Sequence, residues 1–176
     1  IPDSEQNKKH QLISLLGMLK FVPVCQVYVS DCEGDDTIAH LCSGPLRGED
    51  KIIVSSDKDM YQLLNDKTRI YSLHKKKIVT AEDIFEEFRI RTHNFAIAKA
   101  ICGDSGDNVP GVKGIGFKKV SSKIPILGGD QMVILQDVID YCQSHVDESI
   151  IYRRIMDSVE DVKRNWRLVH LDGSML

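Results

Sequence analysis

Residues 103–119 read GDSGDNVPGVKGIGFKK, and two chemistries sit side by side in them. Asp104 and Asp107 place two carboxylates within one turn's reach of each other, and carboxylates collect hard cations. Gly111, Gly114 and Gly116 then form a glycine-rich hairpin that runs into Lys118 and Lys119. Glycine turns expose backbone amides, and such amides beside lysines cradle phosphate. The stretch reads as a cation site joined to a phosphate grip. A helix from His93 to Cys102, with Phe95, Ile97, Ala98 and Ile101 apolar, delivers the chain to it.

The rest of the chain bounds that reading. Its 176 residues suit one domain or slightly more, and 42% hydrophobic with 28% charged residues is ordinary globular composition. The net charge of −3 does not advertise a nucleic-acid partner, but bulk charge hides local patches. From Val109 to Gly129 there is no acid, and Lys113, Lys118, Lys119 and Lys123 all fall there. Five cysteines without a C-x-x-C pair read as reduced thiols rather than a disulfide frame or zinc site. No run is long enough to span a membrane, and no signal peptide is visible. The six histidines lack H-E-x-x-H spacing, and neither G-x-S-x-G nor a Walker lysine loop occurs. A first residue that is Ile rather than Met reads as a piece of a longer or processed chain.

Two further acidic clusters follow predicted strands. Ser4 to Lys20 is expected to be a surface helix docked by Leu12, Leu15, Leu16 and Leu19. Val22 to Ser30 (Val24, Val27, Tyr28, Val29) has strand composition. It leads to Asp31, Glu33, Asp35 and Asp36, then a helix from Thr37 to Cys42. Acids suit a helix N-terminus, yet four in six residues repel, and either solvent or a cation must relieve them. Lys51 to Ser55 is expected to be a short buried strand ending at Asp57 and Asp59, which would point to one side of an extended backbone. Asp57 alone would also serve as the N-cap of a helix over Met60 to Leu64.

Beyond these lie a β-hairpin (Thr68 to Leu73, Lys77 to Val79) and a helix from Ala81 to Arg89 capped by Thr80. Further helices are expected over Asp130 to Gln143 and Asp147 to Trp166, with a short apolar strand or extended segment at Leu168 to Leu171.

Glu33-Gly34-Asp35-Asp36, Ser56-Asp57-Lys58-Asp59, Gly103-Asp104-Ser105-Gly106-Asp107-Asn108 and Pro110 to Gly116 together resemble the structure-specific 5′-nuclease family. This family includes flap endonucleases and the bacteriophage and bacterial 5′–3′ exonucleases. The closing Arg164 to Leu171 resembles the end of the phage and bacterial members' core. The resemblance implies an α/β fold: an incomplete, mostly parallel central sheet flanked by helices (a PIN-like core) over residues 1–92. A helical region with a helix-three-turn-helix element is implied for residues 93–176.

It implies 5′–3′ exonuclease or flap endonuclease activity with two divalent ions, magnesium or manganese. Glu33, Asp35 and Asp57 would lie about the first ion and Asp59, Asp104 and Asp107 about the second, with Asp36 as a further acid. Gly111, Val112, Lys113, Gly114, Ile115, Gly116, Lys118 and Lys119 would hold the duplex backbone, with potassium near Val112 to Ile115. The partner would be DNA with a 5′-flap, nick or branch, or an RNA–DNA hybrid. The protein would act as a monomer, beside replication proteins, in the cytoplasm of a bacterium or a phage-infected host.

Family members begin with an aspartate-bearing strand and a basic arch, which have no match in this chain. By that resemblance the chain alone is expected to be a weak or inactive nuclease. A non-catalytic module that grips duplex through the hairpin is the alternative. A small-molecule phosphohydrolase would not need the basic hairpin.

Overall fold

The computed structural model of the protein describes residues 4–171 and 173. They fall into two compact units, Ile1–Cys32 and Glu33–Leu176. Among its described residues the first holds one α-helix, α1 (Glu5–Met18), begun by Ser4, whose hydroxyl accepts the Asn7 N–H, and a 3-10 turn over Leu19–Phe21. No residue of α1 is buried, so the docked leucine stripe expected at Leu12, Leu15 and Leu16 is instead exposed. Residues 22–30 do not form the expected strand. A strand exists only where a neighbour completes its ladder. Here the Val24 N–H turns back onto the Val22 carbonyl at 2.8 Å.

The second unit starts with α2 (Gly34–Ser43), whose first turn carries Asp35 and Asp36. Three strands follow: β1 (Lys51–Val54), β2 (Thr68–Ser72) and β3 (Lys77–Val79). β1 pairs parallel to β2 with Ile53 opposite Ile70, and β2 pairs antiparallel to β3 with Ile70 opposite Val79. The sheet is thus mixed rather than mostly parallel. Ile53, Ile70 and Val79 form its buried face. The strand expected to be buried is covered on one side only, since Ile52 and Val54 are 55% and 62% exposed.

Thr80 and Asp83 close a reciprocal capping box on α3 (Ala81–Phe88). Next comes α4 (Phe95–Cys102), apolar apart from Lys99 and buried at every position from Phe95 to Ile101, the pattern of a central helix. It packs against α5 (Phe117–Lys123) and α8 (Val159–Val169), with α6 (Leu135–Ser144) and α7 (Ile150–Asp157) completing the helical side.

Two helices differ from expectation. α6 starts at Leu135 because residues 131–133 are tied outside the helix by the buried Asn94. Its amide donates to the Leu127 and Gln131 carbonyls and accepts the Val133 N–H. The helix expected from Asp147 to Trp166 is broken at Ser158. The Ser158 N–H closes α7 on Ile155 and Met156, and its carbonyl opens α8 by accepting the Val162 N–H. Val169, expected in an extended segment, ends α8, and the chain turns extended only at His170.

The 103–119 stretch is anchored on α4. Two-residue strands β4 (Gly103–Asp104) and β5 (Val109–Pro110) pair antiparallel. Their backbones cross so closely that a Cβ on Gly103, where φ is +76°, would lie 2.2 Å from the Gly111 nitrogen. One on Gly111 would lie 1.9 Å from the Cys102 carbonyl oxygen. Only glycine fits at both positions. Asn165 of α8 locks the crossing by donating to the Ala100 and Pro110 carbonyls, at 3.0 and 2.7 Å.

Candidate metal centre and nucleic-acid interface

Three short elements of the second unit bring carboxylates together. α2 presents Asp35 from its first turn. After β1 the chain does not stay extended. The Asp57 N–H donates to Ser55 Oγ (3.0 Å), and the Asp59 N–H to Asp57 Oδ1 (2.8 Å). These turns direct both aspartates to one place without an extended backbone, and Asp59 opens a 3-10 turn over Asp59–Leu63. At the far end of α4, Asp104 Oδ1 accepts the Gly106 N–H at 2.8 Å and fixes the loop that carries Asp107.

The result is two trios, Asp35–Asp57–Asp59 and Asp59–Asp104–Asp107. Within each, one oxygen per residue lies within 4.8 Å of the others, and Asp59 belongs to both. An all-carboxylate donor set at this spacing fits a hard divalent cation. Glu33 and Asp36 join neither trio but stand close enough to act on Asp35 electrostatically. Burial pushes the Asp35 carboxyl up, and the like charges of Asp57, Glu33, Asp36 and Asp107 push it further.

The sequence reading missed Lys99. It lies in the apolar octet FAIAKAIC of α4, its side chain is only 3% exposed, and it pairs with two carboxylates. Its ammonium bonds Asp59 Oδ1 and lies 2.5 Å from Asp104 Oδ2. Burial opposes its charge, but the hydrogen bonds to Asp104 and Asp59 outweigh that and raise its pKa. The Lys99 hydrogen bond in turn holds the Asp104 carboxyl below its usual range, whereas deeper burial leaves Asp59 raised. The available signal was a lone charge in a helix otherwise apolar on every side. A buried charge of that kind requires a partner.

Beyond the acid loop, residues 111–116 alternate between core and surface. Val112 (6% exposed) and Ile115 (5%) are pinned inward, while Lys113, Gly114 and Gly116 face out. The Val112 N–H donates to the Ile101 carbonyl and the Ile115 N–H to that of Val112. Lys118 and Lys119 are exposed at the start of α5. Lys119 Nζ donates to the Gly114 carbonyl at 2.6 Å, and Arg154 of α7 reaches the Lys113 carbonyl at 3.4 Å. A groove of about 620 Å³ runs beside the turn, between residues 87–89 and 116–121. The five cysteines are free thiols, and burial pushes Cys102, next to the acid loop, up to about 12. Among the described residues no helix is long and apolar enough to cross a membrane.

The chain has counterparts among known proteins. Residues 3–89 match the family described as the 5′-3′ exonuclease, N-terminal resolvase-like domain. The chain is 37% identical over 109 residues to a 5′-3′ exonuclease of Buchnera aphidicola, covering 61% of this chain and 38% of the relative. It superposes on the bacteriophage T5 5′-exonuclease with bound zinc at TM-score 0.75 and 27% identity, covering 96% of this chain and 62% of the phage chain. A phage T5 flap endonuclease in a pseudo-enzyme–product complex with DNA and metal ions gives TM-score 0.75 at 26% identity, covering 97% and 62%. The chain therefore spans less than two thirds of the length of these relatives. The resemblance of the acid motifs, the family match over 3–89 and the shared fold through the 103–119 loop agree: this chain belongs to the 5′-nuclease family of 5′–3′ exonucleases and flap endonucleases.

Proposed function

We propose that the chain carries the acidic centre and duplex grip of a metal-dependent nuclease that hydrolyses DNA phosphodiester bonds from 5′ ends or at 5′-flaps. The observation that carries this reading is the sharing of Asp59 by two carboxylate trios, with the second trio only a few residues from the Gly111–Gly116 turn. Asp35, Asp57 and Asp59 would hold one divalent ion and Asp59, Asp104 and Asp107 the other, with Glu33 and Asp36 adding negative field. Magnesium or manganese held this way supplies a water acidified for attack and a clamp for charge on the phosphate.

The chain's own part is to fix those carboxylates and to position the duplex. The backbone amides of the exposed residues Lys113, Gly114 and Gly116 and the ammonium groups of Lys113, Lys118 and Lys119 would bind phosphates without reading bases. Residues 1–92 would then be the nuclease core and 93–176 the helix-hairpin-helix grip. Potassium at residues 112–115 would compete with Lys119 at the Gly114 carbonyl and with Arg154 at that of Lys113. The substrates proposed are flap, nicked or branched duplex and RNA–DNA hybrid. The setting proposed is a monomer beside replication proteins in a bacterial or phage-infected cytoplasm.

The test is manganese-dependent cleavage of a 5′-labelled flap duplex, run with calorimetric titration of manganese. The chain alone is proposed to be a weak or inactive nuclease, so ion binding is the deciding readout: Asp104→Asn and Asp107→Asn should weaken it, and remove any cleavage the chain retains, while the far-UV circular dichroism is kept. Manganese binding unchanged in both variants would refute the reading. A non-cutting binding module is the second reading, favoured by the ammonium already bridging Asp59 and Asp104. Salt-dependent duplex binding with no cleavage under any divalent ion would select it.

A further inference from the structure

Lys99 occupies an unusual position for a cation. Its stem is enclosed by α4 and its neighbours, with Ala98 and Ala100 both fully buried, and only its ammonium meets polar atoms. Those atoms belong to two of the three members of the Asp59–Asp104–Asp107 trio, but to only one of the Asp35–Asp57–Asp59 trio. The ammonium therefore weighs more heavily on one trio than on the other. A lysine this enclosed cannot swing to solvent. To release the carboxylates it would have to stay charged and unpaired in the interior, which is costly. Asp59 is itself 9% exposed and would be a buried charge without a partner if Lys99 were absent.

We propose that Lys99 is a built-in counter-cation for the Asp59–Asp104–Asp107 trio, so that the two divalent-ion sites are unequal. The trio containing Asp35 fills first, and the trio containing Asp104 binds an ion only in competition with the ammonium. The proposal rests on the two-ion reading above. Its physical basis is Coulombic. A positive charge held within hydrogen-bond distance of two ligands lowers the negative potential that an incoming dication would feel. At such separations in a partly buried site the effect on affinity is about tenfold or more. The same ammonium keeps the buried Asp59 compensated when no ion is bound, so the fold does not depend on the second ion.

The test is calorimetric titration of manganese into the chelator-treated chain, wild type against Lys99→Met and Lys99→Arg. Wild type should show two unequal binding steps. Lys99→Met should tighten the weaker step about tenfold or more, and Lys99→Arg, which keeps the charge, should leave it weak. Metal-free Lys99→Met should melt at a lower temperature than wild type and regain more on adding manganese than wild type does. A merely structural lysine would give the loss without the extra metal-dependent recovery.

A second measurement on the unaltered protein covers the case in which Lys99→Met does not fold without metal. The Lys99 Nζ resonance should shift on titration with magnesium, at the concentrations that fill the weaker site. Two equal steps in wild type, a weaker step unmoved in a folded Lys99→Met, or a silent Nζ resonance while magnesium binds would each overturn the proposal and leave the two-ion reading standing. No binding of either ion to wild type would overturn both.

Discussion

Asp104 and Asp107 hang from a loop whose base is a backbone crossing of Gly103 and Gly111, locked by Asn165 from α8 and neutralised in part by Lys99. Asp35 and Asp57 are placed by local means: a helix first turn, and hydrogen bonds that reach two residues along the chain. The charges felt at Asp35 are those of Asp57, Glu33, Asp36 and Asp107, all of its own sign. One half of the centre is thus anchored to the core at its base, with a cation supplied by the chain. The other is attached to the core by short bonds and left with its repulsion. A change at the base of the first loop, where Gly103 and Gly111 cross under Asn165, should disturb folding, while a change in the turns that carry Asp35 and Asp57 should act mainly on ion binding.

The largest expected effect is at the crossing. Gly111→Ala puts a methyl where the Cys102 carbonyl oxygen would be 1.9 Å away, and neither backbone can give without breaking the β4–β5 pairing. Overpacking of this kind should cost about 3 kcal/mol or more. Gly116→Ala, five residues on, meets nothing within 4 Å and should stay within about 1 kcal/mol of wild type. Urea denaturation of the two variants checks the pair. Equal losses would mean that the crossing does not anchor the loop.

A smaller effect belongs to the local half. Ser55→Ala removes the acceptor of the Asp57 N–H and loosens the turn that aims Asp57 and Asp59. One partly exposed hydrogen bond contributes about 0.5–1.5 kcal/mol, so stability should fall by no more than that. The affinity of the stronger manganese step should fall as well, because two ligands of that trio lose their fixed aim. A Ser55→Ala variant that melts like wild type and binds manganese like wild type would show that the turn is not what positions the ligands.

The same contrast explains what could be read in the residue string. The β2–β3 hairpin and the Thr80 cap are carried by local chemistry, and local chemistry is written in neighbouring residues. The acid loop and glycine turn were legible from their own residues, but the Asn165 tether that locks their base was not. Residues 22–30 have strand composition, but a strand is a property of its partner as well as its own side chains. The start of α6 depends on Asn94, some forty residues upstream, and no periodicity can report a tether of that kind. The break at Ser158 was legible in principle. Ser158 with Asp161 three residues on has the pattern of a helix start inside a longer apolar period. Lys99 was legible as a charge out of place, but its two partners lie on separate segments that only the fold brings together.

The smallest effect expected is that of pH on the metal-free protein, and it separates the halves by sign. Asp35 has a raised pKa, from burial and then from the charges of Asp57, Glu33, Asp36 and Asp107. The folded chain therefore keeps a proton at pH values where the unfolded chain has released it. Stability should fall as pH rises from 3.8 through the raised value, and then level off. Asp104 runs the other way, because the hydrogen bond from Lys99 holds its pKa below 3.8. Its contribution is complete above 3.8 and is lost as pH falls through the lower value. Asp35→Asn should make the first slope shallower, leaving the part that the raised Asp59 contributes, and keep the second; Asp104→Asn should make the second shallower, leaving the part that the lowered Asp83 contributes. Urea midpoints in chelator between about pH 3 and pH 7 resolve the two windows. Manganese should then stabilise the wild type more above the Asp35 window than below it, because only there does that half of the centre carry the full repulsion a dication relieves. A slope in Asp35→Asn identical to wild type would mean that the repulsion is already relieved by solvent, and the contrast between the two halves would be one of geometry alone.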